Sequence, residues 1–331
     1  MLALRLRSLS FTAATLVLSA CPGPDPEPEP EWTIGLEVDQ SVGAFLSAWG
    51  SSRDEVYAVG GNPDAGAMAR FDGSAWTDES IPDGMPLINW VHGSAGELWI
   101  AGNLGQVGHR DESGSWTMTN VGSDSALWGI WAASNSDVWT VGGDIPGDAP
   151  VLAHFDGSAW TMIDPLPTAD REFAAILKVW GTAGDDVFAV GHNGVVFHFD
   201  GSAWTQQLAG TSRDLISLWG TGPDEIISVG GRANGIIARY DGSAWSSETI
   251  GELPGLNGVW MAEDGTAFAV GVDGIVIEIE PGGFEWTELD RSVRPDTLHG
   301  AFGLADGSRF AVGGNLLFSP PWTGVIVQWL P

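Results

Sequence analysis

Cysteine, lysine and tyrosine are nearly missing from this 331-residue chain, which holds one Cys, Cys21, one Lys, Lys178, and two Tyr, Tyr57 and Tyr240. A lone cysteine rules out an internal disulfide, so the fold must be held by packing. Positive charge is scarce altogether: 13 Lys and Arg against 43 Asp and Glu leave a net charge of -30. So acidic a body repels phosphate backbones and anionic lipid, which excludes nucleic acid as a partner and leaves solubility, or attraction to cations, as the role of the charge. The apolar stretch Phe11 to Leu18 is too short to cross a bilayer. Helical periodicity is absent, as are a Gly-x-Ser-x-Gly elbow, a His-Glu-x-x-His pair and a phosphate-binding Gly-Lys-Ser/Thr loop.

What is present is repetition. Phe-Asp-Gly-Ser-Ala-Trp-Thr occurs at Phe71 to Thr77, Phe155 to Thr161 and Phe199 to Thr205, with a variant at Tyr240 to Ser246. Upstream of each copy lies a second phrase, represented by Val179 to Gly191. Its anchor residues are Trp49, His92, Trp131, Trp180, Trp219, Trp260 and Phe302, spaced 39 to 49 residues apart. A period of this size marks stacked supersecondary units. Within each unit short apolar alternations are broken by Gly and Asp turns, which predicts four antiparallel strands, A to D. In the fourth unit these cover about 175 to 181, 187 to 191, 195 to 199 and 204 to 208. Seven such units describe an all-β, seven-bladed propeller over residues 32 to 331.

The two ends of this region complement each other. The seventh unit stops at Gly324 to Trp329, which matches strand C, and lacks a strand D. Trp32-Thr33, ahead of the first strand A, matches Trp204-Thr205 at the start of a strand D. An N-terminal strand that completes the last blade would close the ring and remove two sheet edges. Seven Trp are expected to begin strand D (Trp32, Trp76, Trp116, Trp160, Trp204, Trp245, Trp286), and five lie on strand A. Recurrence in every blade points to core packing, not to a carbohydrate platform. Trp99 and Trp139 fall on strand B and are also expected in the core. Trp90, Trp128 and Trp322 have no repeat equivalent, and Trp322, in the longest B–C loop, is the candidate contact residue.

Topology separates two faces. The A–B and C–D turns share a uniform, acidic face, where a ring of calcium sites is conceivable but the Asp-x-Asp-x-Asp-Gly spacing is missing. The D–A and B–C loops share the variable face, with insertions at Gly61 to Ala67, Gly143 to Pro150, Met162 to Phe173 and Gly313 to Gly324. Variable loops on a rigid scaffold are where binding surfaces arise. Arg171, Arg213, Arg291 and Arg294 each precede a strand A, and together could form an anion site at the channel mouth. The alternative is that Arg171 and Arg213 pair with Asp170 and Asp214. A row of Arg70, His109, His154, His198, Arg239 and Gln328 recurs one per blade. Equivalent atoms of successive blades stand too far apart to share a metal ion, so local bonds at the blade edge are expected.

Residues 1 to 20 read as a signal peptide, with Arg5, Arg7, a short apolar core and no acid. Leu18-Ser19-Ala20-Cys21 resembles the lipobox of bacterial lipoproteins, which implies cleavage before Cys21 and a diacylglyceryl or palmitoyl lipid on its sulfur; no other cofactor is expected. Residues 21 to 31 then form a Pro/Glu spacer of roughly 30 Å. Pro22 follows the cysteine where many inner-membrane lipoproteins carry Asp, which favours an outer-membrane address.

The Asp-Gly-Ser-Ala-Trp turn resembles the Asp-box of bacterial neuraminidase repeats. The whole repeat, from Trp32 to Trp329, resembles secreted bacterial propellers grouped with kelch and galactose-oxidase-like proteins. Here Asp72 and Gly73, like Asp156 and Gly157, Asp200 and Gly201, and Asp241 and Gly242, are adjacent, whereas an Asp-box separates them by one residue. A sialidase nucleophile would have to be Tyr57 or Tyr240, both of which fill repeat positions, and no residues match a copper site. The expectation is a monomeric, non-enzymatic, lipid-anchored propeller whose loop face binds a protein or glycan in the cell envelope. Two rivals are a glycosidase with a carboxylate pair, and an envelope-assembly factor like the propeller lipoprotein of the outer-membrane barrel machinery.

Overall fold

The computed structural model describes residues 31–144, 149–290, 296–316 and 320–331. The expected signal segment, Cys21 and nearly all of the spacer lie outside the described residues, as do Arg291 and Arg294. Among the described residues no helix is long and apolar enough to cross a membrane.

Seven four-stranded antiparallel sheets form the blades. In the fourth blade the strands are Ile176–Ala183, Asp186–Gly191, Val195–Phe199 and Trp204–Leu208, within two residues of the sequence reading. The ring closes as the termini imply. Thr33–Val38 pairs antiparallel with Thr323–Trp329, with Thr33 opposite Gln328 and Val38 opposite Gly324, so the last blade takes its outer strand from the other end of the chain.

The inner strands share a device that spacing alone does not reveal. Every strand A shifts register against strand B at its second or third residue, between Phe45 and Ser47 in the first blade and between Leu298 and Gly300 in the last. Such a bulge adds the local twist that lets the innermost strand turn along the channel. Where the bulged residue is asparagine its side chain ties blades together: Asn89 Nδ2 donates to Leu127 O at 2.9 Å and Asn257 Nδ2 to Leu298 O at 2.9 Å, in each case across to the next inner strand.

The anchor aromatics and the glycine that follows them work as a pair. A Cβ at Gly93 would collide with the Trp49 ring, one at Gly181 with Trp131, one at Gly220 with Trp180, and one at Gly303 with Trp260. In these four pairs the anchor of one blade lies against the bare backbone of the next, while Trp131 and Trp260 are followed by Ala132 and Met261.

The strand D tryptophans are not core residues in the sense expected. Only Trp245 is buried; the other six are half-buried. Trp76, Trp160, Trp204 and Trp245 each pack on the strand C aromatic of their own blade and on a strand B aromatic of the preceding blade, making a seam, whereas Trp116 and Trp286 stand opposite Arg110 and Ile279. Trp204 sits 5.5 Å from Phe199 and 5.1 Å from Trp139, and Trp245 sits 5.4 Å from Tyr240 and 6.3 Å from Phe188. Trp32 lies 5.9 Å from Phe268, and Trp76 lies 5.9 Å from Phe310, so the closing blade is stitched on both sides. Each seam contributes about 2 to 4 kcal/mol as an upper bound from area. Trp99 and Trp139, on strand B, are 2% and 3% exposed, in the core as their positions imply.

Candidate binding surface

The uniform face is built from locked turns. Asp200 Oδ1 accepts from Ser202 N at 2.9 Å, Ser202 Oγ at 2.6 Å and Ala203 N at 2.9 Å, and Asp72, Asp156 and Asp241 repeat the arrangement. These donors, the serine hydroxyl first, hold the four carboxyls down at about 2. The positive φ of the next residue, +83° at Gly201, is one that glycine alone adopts without strain. The conserved form of the turn is thus explained by hydrogen bonding within it.

Of the edge row, the three histidines and Arg70 bond within their own blades as expected, while Arg239 and Gln328 reach the next blade. His109 Nε2 meets Glu97 Oε2 at 2.6 Å, His154 Nε2 meets Asp137 Oδ1 at 2.7 Å and His198 Nε2 meets Asp186 Oδ1 at 2.6 Å, each ring stacked on a strand B aromatic. Arg70 donates to Asp54 O, Arg239 to Gly283 O and Glu280 O, and Gln328 Oε1 accepts from Trp76 Nε1. Among the described residues no three acidic, His or Cys side chains converge as a metal site would require.

On the variable face the fourth and fifth blades bring together what the sequence scattered. Arg171 donates Nε and Nη2 to the Asp170 carboxylate at 2.8 and 3.1 Å, and Nη1 to Asn193 O at 3.0 Å and Thr211 O at 2.8 Å. It therefore clasps the B–C turn of its blade to the following D–A loop. The arginine, followed by Gln206, holds Asp170 down at about 2. Arg213 lies beside this clasp, exposed, and its guanidinium has no partner among the described residues. Its sequence neighbour Asp214 is engaged elsewhere, accepting from Arg232 Nε at 2.7 Å and from Asn193 N at 2.9 Å. A cleft of about 480 Å³ lined by Arg171, Glu172, Phe173, His192 and Asn193 adjoins the cluster. Trp322 is half-buried on the same face, in the seventh blade.

Sequence reasoning missed Lys178. It is 6% exposed on the inner strand of the fourth blade, with Nζ donating to Trp128 O at 3.0 Å and lying 3.1 Å from the centre of the Trp90 ring. Burial pushes its ammonium well below the usual lysine range. Of the three tryptophans without repeat equivalents, Trp90 is thus explained by the one lysine, while the Trp128 indole donates Nε1 to Gly143 O at 2.7 Å within its own blade.

A second cleft, of about 470 Å³, opens between the third and fourth blades and includes Asp137, His154, Ile163, Pro165, Pro167 and Trp204 in its lining. The lining of each cleft includes a single carboxylate, Glu172 in one and Asp137 in the other. Neither offers the facing pair that glycoside hydrolysis uses.

No family model and no curated protein matches the chain by sequence. Solved structures do match its fold. A streptogramin B lyase structure superposes with a TM-score of 0.68 at 12% identity, covering 89% of this chain and 98% of that one. The WD40 β-propeller domain of Doa1 gives 0.66 at 9% identity over 89% and 96%. YCF48 bound to a D1 peptide gives 0.64 at 15% identity over 95% and 100%. At these identities the likeness is one of architecture, and it establishes the seven-bladed β-propeller as the fold of this protein.

Proposed function

We propose that the protein is a non-enzymatic binding module of the bacterial cell envelope, held at the outer membrane by a lipid on Cys21 and presenting its variable loop face to a protein or glycan partner. The observation that carries the binding role is the cluster at the fourth and fifth blades. There Arg171 and Arg232 are neutralised by Asp170 and Asp214, Arg213 is left free and exposed, and a cleft stands beside them. In a body of net charge -30, an unpaired guanidinium on that face is a local anchor for a partner carboxylate. YCF48, a propeller of the same architecture, is known with a D1 peptide bound, which supports a peptide as the partner chemistry. The lipid anchor rests on Leu18-Ser19-Ala20-Cys21 and the Pro/Glu spacer.

Two experiments test this reading. Acidic, neutral and basic fluorescent peptides and a glycan array are presented to the protein and to Arg213→Gln. Acidic ligands should be preferred and should weaken about tenfold in the variant, the worth of one charge-assisted contact. Ligand binding indifferent to Arg213 removes the loop-face site. Radioactive palmitate should label the full chain in bacteria and not Cys21→Ala; equal incorporation removes the anchor.

A further inference from the structure

The cleft between the third and fourth blades has a chemistry that the other seams define. In three seams the strand D indole N–H ends on an amide-type oxygen: Trp245 Nε1 on Gln207 Oε1 at 2.7 Å, Trp76 Nε1 on Gln328 Oε1 at 2.9 Å, and Trp116 Nε1 on Ser80 O at 3.0 Å. In the seam between the third and fourth blades Trp204 Nε1 is buried and has no acceptor among the described residues; Nε1 of Trp139, 3% exposed and packed edge-on against it, has none either, as is true of its strand B counterpart Trp99. The three acceptors come from three different places, a strand D side chain, a strand C side chain and a loop carbonyl, and in this seam the place of Gln207 is taken by an apolar residue. Gln207 lies three residues after Trp204, and the residue three after Trp160 is Ile163, which cannot accept a hydrogen bond. Strand D of the third blade is also short, Trp160–Met162, and the chain beyond it places Ile163, Pro165 and Pro167 along the cleft.

We infer that this seam is a second binding site, separate from the loop-face cluster, and that it takes an extended, apolar peptide segment of a partner protein with basic flanking residues, one backbone carbonyl accepting from Trp204 Nε1. The missing group is the one the sibling seams supply from within, an amide oxygen, and a peptide offers it at every residue. The donor is covered in the free protein, so the seam must part beside Trp204 for a carbonyl to reach it, and the bond then satisfies a group that had no hydration partner to lose. Proline and aromatic walls suit the side chains of an extended peptide. The polar pair in the cleft, His154 and Asp137, is engaged with itself, which leaves little for the many hydroxyls of a sugar. Exposed Asp185 stands against Gly201, one residue from Ser202 in the lining, and with the overall acidity selects Lys or Arg on the peptide flanks.

The test uses capped decapeptides of Leu, Val and Pro flanked by Lys, a matched set flanked by Glu, and an oligosaccharide set, titrated by fluorescence anisotropy into the whole protein, Ile163→Gln and Trp204→Phe. Ile163→Gln supplies the internal acceptor of the Trp245 seam, and Trp204→Phe removes the donor while keeping an aromatic ring. Basic decapeptides should bind the parent, and each substitution should weaken them about tenfold, as the loss of one such hydrogen bond would. Equal binding by parent and Ile163→Gln, selection of the Glu-flanked set, or failure of every decapeptide overturns the inference. Retention of an oligosaccharide that Ile163→Gln abolishes replaces the peptide with a sugar. Loss of peptide binding in Arg213→Gln but not in Ile163→Gln moves the peptide to the loop face, so the two sites fail separately.

Discussion

Between the fourth and fifth blades Trp245 is 8% exposed and its indole N–H ends on Gln207, while between the third and fourth blades Trp204 holds the same place, stays half-buried and has nothing to donate to. Both seams keep the aromatic sandwich, from Tyr240 through Trp245 to Phe188 and from Phe199 through Trp204 to Trp139. The packing that holds the wheel together is therefore indifferent to the hydrogen bond that finishes it. A repeat can lose that bond in one blade, keep its fold, and gain an unoccupied donor beside a cleft. The loop face shows the same division: residues that recur in every blade build the scaffold, and exceptions such as Arg213 and Ile163 create surface chemistry.

The most severe way to break the equivalence of the seams is to remove one. Deleting Trp32 to Val38 takes away the closing strand and its contact with Phe268, and should cost about 5 kcal/mol or more, with a fall in Tm of at least roughly 10 °C. An unchanged melt would mean that the last blade holds without its outer strand. Trp245→Phe should cost about 1 to 2 kcal/mol in urea unfolding because Gln207 loses its donor, whereas Trp204→Phe should stay within about 0.5 kcal/mol, having no bond to lose. Equal losses would dissolve the distinction between the seams. Ile163→Gln should move the other way, raising stability by about 0.5 to 1 kcal/mol as the orphaned donor finds an oxygen.

The smallest effect concerns pH. Asp200 is held at about 2, below the 3.8 of an unperturbed aspartate, by Ser202 and Ala203. Protons therefore bind the unfolded chain more readily in that window, and the stabilisation is present above about pH 4 and lost as pH falls through 2. Asp200→Asn should lower the urea midpoint near neutrality, with the gap to the parent shrinking between pH 4 and pH 2. A gap independent of pH would assign the turn's stability to shape alone.

Strand boundaries, blade number and the closing strand were legible because each is written many times or, at the termini, as two complementary fragments. Trp32-Thr33 and Gly324 to Trp329 together spell the two outer strands of one blade. The half-burial of the strand D tryptophans was not legible, since recurrence shows that a residue packs but not whether it packs inside a sheet or between two. Pairing of Asp214 with Arg232, 18 residues away, could not be read from an Arg213-Asp214 dipeptide, because the turn carries the aspartate toward the B–C loop of its own blade. Lys178 could have been suspected: it is the one lysine, and Trp90 and Trp128 break the repeat nearby. The lapse at Ile163 is visible only after the seam acceptors are known, since nothing in the string marks Gln207 as one.

The account rests on one strand D indole, that of Trp204, being buried without an acceptor among the described residues. Indole N–H resonances of the ¹⁵N-labelled protein, assigned by single Trp→Phe variants, report it directly. Trp76, Trp116 and Trp245 should show the downfield shifts of hydrogen-bonded indoles, and Trp204 should lie upfield of them and move into their range in Ile163→Gln. A Trp204 resonance already among the others, and unmoved by that substitution, would contradict it.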